Sequence, residues 1–174
     1  LSNKLVTDNP VNRCYYCKQG VFGTILEAAK NDGMTVILDG TNASDDADDR
    51  PGMKALQEMK VLSPLRMCGY VKSEIRKQSK EAGLFVYNKP SYACLATRIP
   101  TGTEIDEEKI KQVETAETFL FDLGFSDFRV RWMDNKAKIQ MPESQLQALM
   151  EKREVVLKEL SKIFDEVLLD LKTR

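Results

Sequence analysis

"DFRVRWMDNKAKIQM", residues 127–141, decides how the second half of the chain is read. On a strand, Val130 and Trp132 take one face while Arg129 and Arg131 share the other. Asp134-Asn135 is a turn signal, and "AKIQM" supplies the paired strand. Helical spacing flanks the hairpin over residues 107–123 and 143–161, and "DEVLLDL" (165–171) reads as a last strand. With a further strand near residues 93–99, this order predicts a small α+β domain of the ferredoxin-like kind.

The first half has a different grammar. "QGVFGTILEAAKND" (19–32) places Val21, Phe22, Ile25, Leu26 and Ala29 at helical spacing, and Asn31-Asp32-Gly33 stops it. "TVILDG" (35–40) reads as a buried parallel strand. A polar loop, a short helix in "MKALQEMK" and a second short strand in "VLSPL" follow. "KSEIRKQSKEAG" (72–83) then predicts a helix opened by a serine cap and closed at Gly83. The order is that of an α/β fold with a partial doubly wound parallel sheet, whose chemistry lies in loops after strand ends. We therefore divide the chain into residues 1–92 and 93–174, with the seam near 90–105.

Composition narrows the function classes. Of 174 residues, 42% are hydrophobic and 30% charged, and the net charge of −1 gives nucleic-acid binding no support through bulk charge. No stretch approaches the ~20 apolar residues of a spanning helix, so a cytoplasmic protein that meets no membrane is expected. Histidine is absent. Ser–His and Cys–His nucleophile pairs and His-ligated metals are thereby excluded from this chain.

Four cysteines remain as candidates. Cys14 and Cys17 form a single CxxC, read as a redox pair, part of a metal or cluster site, or two structural residues. Cys68 reads as a buried small hydrophobe. Cys94 is different, because "KPSYACLATRIPTG" (89–102) sets it in a Pro- and Gly-bounded loop beside Thr97, Arg98 and Thr101. A cation near a thiol favours the thiolate, which serves as nucleophile, ligand or sulfur source. Two guanidiniums side by side, Arg129 and Arg131, suit a phosphate or carboxylate, or else pair with surface acids such as Asp127 or Glu117. The loop "DGTNASDDADDRPG" (39–52) sets Thr41, Asn42 and Arg50 among Asp45, Asp46, Asp48 and Asp49. It reads either as a solvated acidic turn or as an orienting loop for Mg²⁺ or a nucleotide.

"NRCYYCK", "DGTNASDDADDRPG", "KSEIRKQSKEAGL", "KPSYACLATRIPTGTEI" and "VETAETFLFDLGFSDFRVR", taken in order, resemble the ATP-dependent sacrificial sulfur transferases of the LarE type. These belong to the PP-loop ATP pyrophosphatases. The resemblance implies that ATP activates the carboxylate of a pyridinium mononucleotide, that a protein cysteine attacks the adenylate, and that its C–S bond then breaks. The product would feed a nickel-pincer cofactor. Cys94 matches the sacrificial cysteine, and Thr97, Arg129 and Arg131 match phosphate-binding positions, with Arg98 counted beside them. Glu117 matches a carboxylate that helps bind metal. Thr41, Asn42, Asp46 and Arg50 fall where the first domain faces nucleotide and Mg²⁺.

A homo-oligomer is expected, with the small sheet's edges and the helix and strand over 143–171 as its interface, and nickel or an iron–sulfur cluster is carried as a further cofactor. In the cluster version Cys14, Cys17 and Cys94 insert exogenous sulfur. A related PP-loop synthetase or tRNA-thiolation enzyme is the third reading. The family's "SGGVDS" phosphate turn does not occur in these residues, so the chain is expected to be a fragment, inactive and weak in ATP binding on its own.

Overall fold

A single helical turn, α1 (Lys4–Thr7), opens the chain, its Leu5 N–H donating to the Asn3 side chain at 3.0 Å. The computed structural model describes residues 1–45 and 51–173. Two units divide it, Pro10–Lys89 and a second made of Leu1–Asn9 with Pro90–Arg174. Asn9 fastens the first residues to that second unit. Its buried amide donates to the carbonyls of Pro100 at 2.7 Å and Thr103 at 3.0 Å. Main-chain bonds from Gly102 to Asn9 and from Ile105 to Thr7 complete the attachment. Asn9 also has φ 53°, a left-handed conformation that asparagine tolerates and alanine resists. Asn9→Ala is expected to destabilise the second unit by about 2–4 kcal/mol, from buried carbonyls left unmet plus backbone strain. Urea midpoints read the loss, and Asn9→Gly recovers only the backbone share.

In Pro10–Lys89 the long helix α2 (Arg13–Asn31) ends at Asp32 and turns off through Gly33, at φ 73°. It packs against α3 (Pro51–Glu58), whose Met53 and Leu56 form a small core with Val61, Phe22, Ile37 and Met59. A Cβ at Gly52 would stand 3.0 Å from the Lys18 side chain and 3.6 Å from the Cys14 carbonyl, so glycine sets how closely the helices approach. The expected parallel strands shrink to one bridge, Leu38 with Leu62. No further strand flanks that bridge among the described residues, and Val36, Leu38 and Leu62 are exposed. Among the described residues the first half therefore shows one parallel bridge and not a doubly wound sheet.

Ser63 leads into α4 (Pro64–Met67), and Cys68 caps that short turn at the surface, exposed rather than buried as its sequence suggested. In α5 (Lys72–Glu81) the N-terminal amide of Val71 is met by the Glu74 carboxylate at 3.0 Å, so glutamate replaces the expected serine cap.

The second unit realises the hairpin. Helix α6 (Glu107–Asp122) precedes β1 (Arg129–Met133) and β2 (Lys136–Gln140), which pair antiparallel with Arg131 opposite Lys138. The expected helix over residues 143–161 breaks into a 3₁₀ turn (Glu143–Gln145), α7 (Leu146–Glu151) and α8 (Arg153–Leu160). Strand β3 (Glu166–Leu169) lies parallel to β2 at the sheet edge. Val130, Ala137 and Ile139 face a core with Ala116, Leu120, Phe128, Leu149, Val156 and Leu160. Residues 95–98 form a 3₁₀ turn, not a strand, so the ferredoxin-like order is replaced by a three-stranded mixed sheet. The molecule is thus an α/β protein. Among the described residues, no helix is long and apolar enough to cross a membrane.

Candidate functional site around Cys94

Cys94 is exposed at the head of the 3₁₀ turn Leu95–Arg98. The turn is built on the carbonyl of residue 94, which accepts from Thr97 N at 3.0 Å and Thr97 Oγ1 at 2.8 Å. Arg98 Nη1 adds a longer bond to it at 3.4 Å, along with bonds to Ala93 O at 3.0 Å and Thr97 Oγ1 at 3.1 Å. The rest of the guanidinium turns inward. Its Nε and Nη2 donate to the two Glu117 oxygens at 2.8 and 2.9 Å. Glu117 Oε1 also accepts the Val130 N–H at 2.8 Å. Arg98 is 1% exposed and Glu117 is 0% exposed. Tyr92 lies over this pair, with Arg98 5.2 Å from its ring centre. Burial first, and then the Glu117 charge and hydrogen bond, push the Tyr92 hydroxyl up to about 12.

These contacts alter two expectations. Arg98 gives each of its three nitrogens to protein acceptors, so in this structure it is not presented to a phosphate. Glu117 accepts from Arg98 and Val130 and is hydrogen-bonded to the Tyr92 hydroxyl as well, so its oxygens face protein donors rather than a metal. A signal for its burial exists in the sequence. Val113, Ala116, Glu117 and Leu120 fall at the spacing of one helix face, so Glu117 sits inside an apolar stripe.

Strand β1 brings the arginine pair to the same turn. Arg131 donates to Thr97 O at 2.9 Å and to Gln140 Oε1 at 2.5 Å. Arg129, Arg131, Lys138 and Gln140 lie on the face opposite Val130 and Ile139. Lys138 was not anticipated. The antiparallel register sets it across from Arg131, and like charges directly opposite repel, which the Asp170 carboxylate 3.0 Å from Lys138 Nζ relieves.

Asp170 borders this face, bound by Gln140 Nε2 at 2.7 Å, Lys138 Nζ at 3.0 Å and Lys172 N at 3.1 Å. Those bonds, Gln140's first, hold its carboxyl down to about 2. The folded state thus binds this proton less readily than the unfolded chain does. Its contribution is full above the ordinary value of 3.8 and fades as pH falls toward about 2. Asp170→Asn is expected to flatten the stability profile across that window, as read by chemical denaturation at successive pH values.

The loop after Leu38 belongs to the other unit. Asp39 accepts from Thr41 Oγ1 and Ser63 Oγ, each at 2.6 Å, and from Thr41 N at 3.2 Å. Burial opposes its ionisation, but these bonds and the Lys18 charge hold its carboxyl below the usual value. Asn42 bonds Asp45 through N at 3.0 Å and Nδ2 at 2.9 Å, and Arg66 braces the loop on Asp45 O at 2.5 Å. Asp39, unremarked in the sequence, is thus the anchor of Thr41. Asp46, Asp48, Asp49 and Arg50 lie outside the described residues.

Cys14 and Cys17 are exposed near the start of α2, three residues apart and so on one side of it. Arg13 Nη2 approaches Cys14 Sγ at 4.0 Å. Among the described residues, no group of three or more His, Cys, Asp or Glu is arranged to hold a metal ion.

No protein-family model matches the chain. Curated relatives do. The chain is similar to a mononucleotide synthase. It is 33% identical over 98% of its length to the pyridinium-3,5-bisthiocarboxylic acid mononucleotide synthase of Lactiplantibacillus plantarum. It is also 38% identical over 94% of its length to the uncharacterized protein slr1717 of Synechocystis, and 31% identical over 97% to the uncharacterized protein MJ0830 of Methanocaldococcus jannaschii. The chain spans 60%, 62% and 66% of the slr1717, synthase and MJ0830 lengths.

Proposed function

We propose that this chain carries the sulfur-donating part of an ATP-dependent sulfur transferase acting on a pyridinium mononucleotide carboxylate. One observation supports it above the rest. The turn bearing Cys94 is hydrogen-bonded through Thr97 to Arg131, on the strand face that also holds Arg129 and Lys138. The Cys94 turn and a strand face bearing cations are therefore hydrogen-bonded together, and the similarity to the bisthiocarboxylic acid mononucleotide synthase suggests a chemistry for that pairing.

In this reading ATP, with Mg²⁺, converts the substrate carboxylate to an acyl-adenylate, and pyrophosphate leaves. Thr41, Asn42, Asp46 and Arg50 are assigned to the nucleotide and Mg²⁺ by the family resemblance. Thr97 Oγ1, Arg129, Arg131 and Lys138 hold the mononucleotide phosphate. Cys94 Sγ attacks the acyl carbon, AMP departs with its bonding pair, and a thioester forms. A base then takes the Cys94 Cα proton and the Cβ–Sγ bond breaks. The electron pair leaves with sulfur as a thiocarboxylate, and dehydroalanine remains at position 94. Mass spectrometry of the Cys94 peptide after turnover tests this. Loss of the mass of H₂S in proportion to product is expected, whereas an intact peptide beside stoichiometric product overturns it and favours insertion of exogenous sulfide.

A further inference from the structure

An arginine and a glutamate buried together contribute little net stability, because desolvation offsets their attraction. What such a pair can supply is direction. Here the planar guanidinium presents one edge to Glu117 and its remaining nitrogen to Ala93 O, Cys94 O and Thr97 Oγ1. The same Glu117 oxygen that holds Arg98 also holds Val130 N, between Arg129 and Arg131 in β1. Arg131 closes the circuit on Thr97 O. Among the described residues, no buried side-chain polar atom is left without a partner.

We propose that Arg98 and Glu117 are positioning residues: together they lock the Cys94 turn to β1, keeping the thiol beside the cationic face. Lysine, a point charge on a flexible stem, cannot serve the fork and the turn together. The sulfur-transfer reading says what the positioned thiol is for. The positioning itself is readable without turnover.

The test labels the chain at low ionic strength with iodoacetate, an anion, and iodoacetamide, its neutral counterpart. Peptide mass spectrometry follows Cys94, with exposed Cys68 as the internal reference. A thiol held about 10 Å from the two β1 guanidiniums is expected to prefer the anionic reagent, relative to Cys68, by about threefold when salt is low enough for screening to be slight. In Arg98→Met/Glu117→Gln, where an amide oxygen still serves Val130 and both charges are gone, that preference is expected to collapse to the Cys68 value with the melting transition kept. Arg98→Lys serves the same purpose should the double variant fail to fold, and is expected to lose most of the preference. An unchanged preference in whichever variant folds overturns the proposal, as does a wild-type Cys94 that labels like Cys68. Collapse beside an unmodified Cys94 after turnover keeps the positioning and removes the sulfur-donor reading. The converse pattern removes the positioning alone.

Discussion

Glu117→Ala is expected to cost about 3–5 kcal/mol, the toll of stripping one partner from a buried ion pair. Three donors lose their acceptor at once: Arg98 Nε, Arg98 Nη2 and Val130 N. Arg98 would then be a buried cation with no counter-charge, because its other bonds reach only neutral oxygens. Burial at 0% leaves little solvent to screen the damage. Glu117→Gln should cost less, since its amide oxygen still receives Val130. Thermal and urea unfolding of both variants measures the difference. A Glu117→Ala protein as stable as the wild type would show that the pair carries no such strain.

Cys94→Ser is the opposite case, with a total effect on chemistry and almost none on stability. Cys94 is exposed, and the turn around it uses its carbonyl rather than its thiol. A surface substitution of this kind should change stability by within about 0.5 kcal/mol. Product formation should nonetheless vanish, because in the proposed reaction the sulfur is a stoichiometric reagent. Serine can accept an acyl group but has no sulfur to yield. Thiolated product from Cys94→Ser, supplied only with substrate and ATP, would exclude residue 94 as donor.

What the sequence disclosed follows from how local each signal is. Alternation in Arg129–Met133 and Lys136–Gln140 is complete within five residues on each side of a two-residue turn, and the strands form there. The attachment of Leu1–Asn9 to residues beyond Pro90 rests on one asparagine reaching Pro100 and Thr103 and on two main-chain bonds, none of which leaves a periodic trace. The parallel placement of β3 against β2 is likewise a long-range choice, made after a crossover of two helices. "TVILDG" has a strand's composition but finds one bridge, since a parallel strand needs neighbours on both sides to pair fully. At the site, residue types were legible and their partners were not. Arg98 and Glu117 look like ligands one at a time, and only their meeting across nineteen positions turns them inward.

The turn at residues 95–98 has one more implication, because its bonds to residue 94 all end on the peptide oxygen. Removing sulfur from that residue takes no hydrogen bond from the scaffold. A used molecule would accordingly keep its shape and its cationic face, and would go on capturing substrate that it can no longer convert. If Cys94 is the single-use donor proposed above, the exhausted members of a population would become competitive inhibitors of the fresh ones. Output then depends on how fast the cell replaces the protein, as much as on how fast each copy reacts.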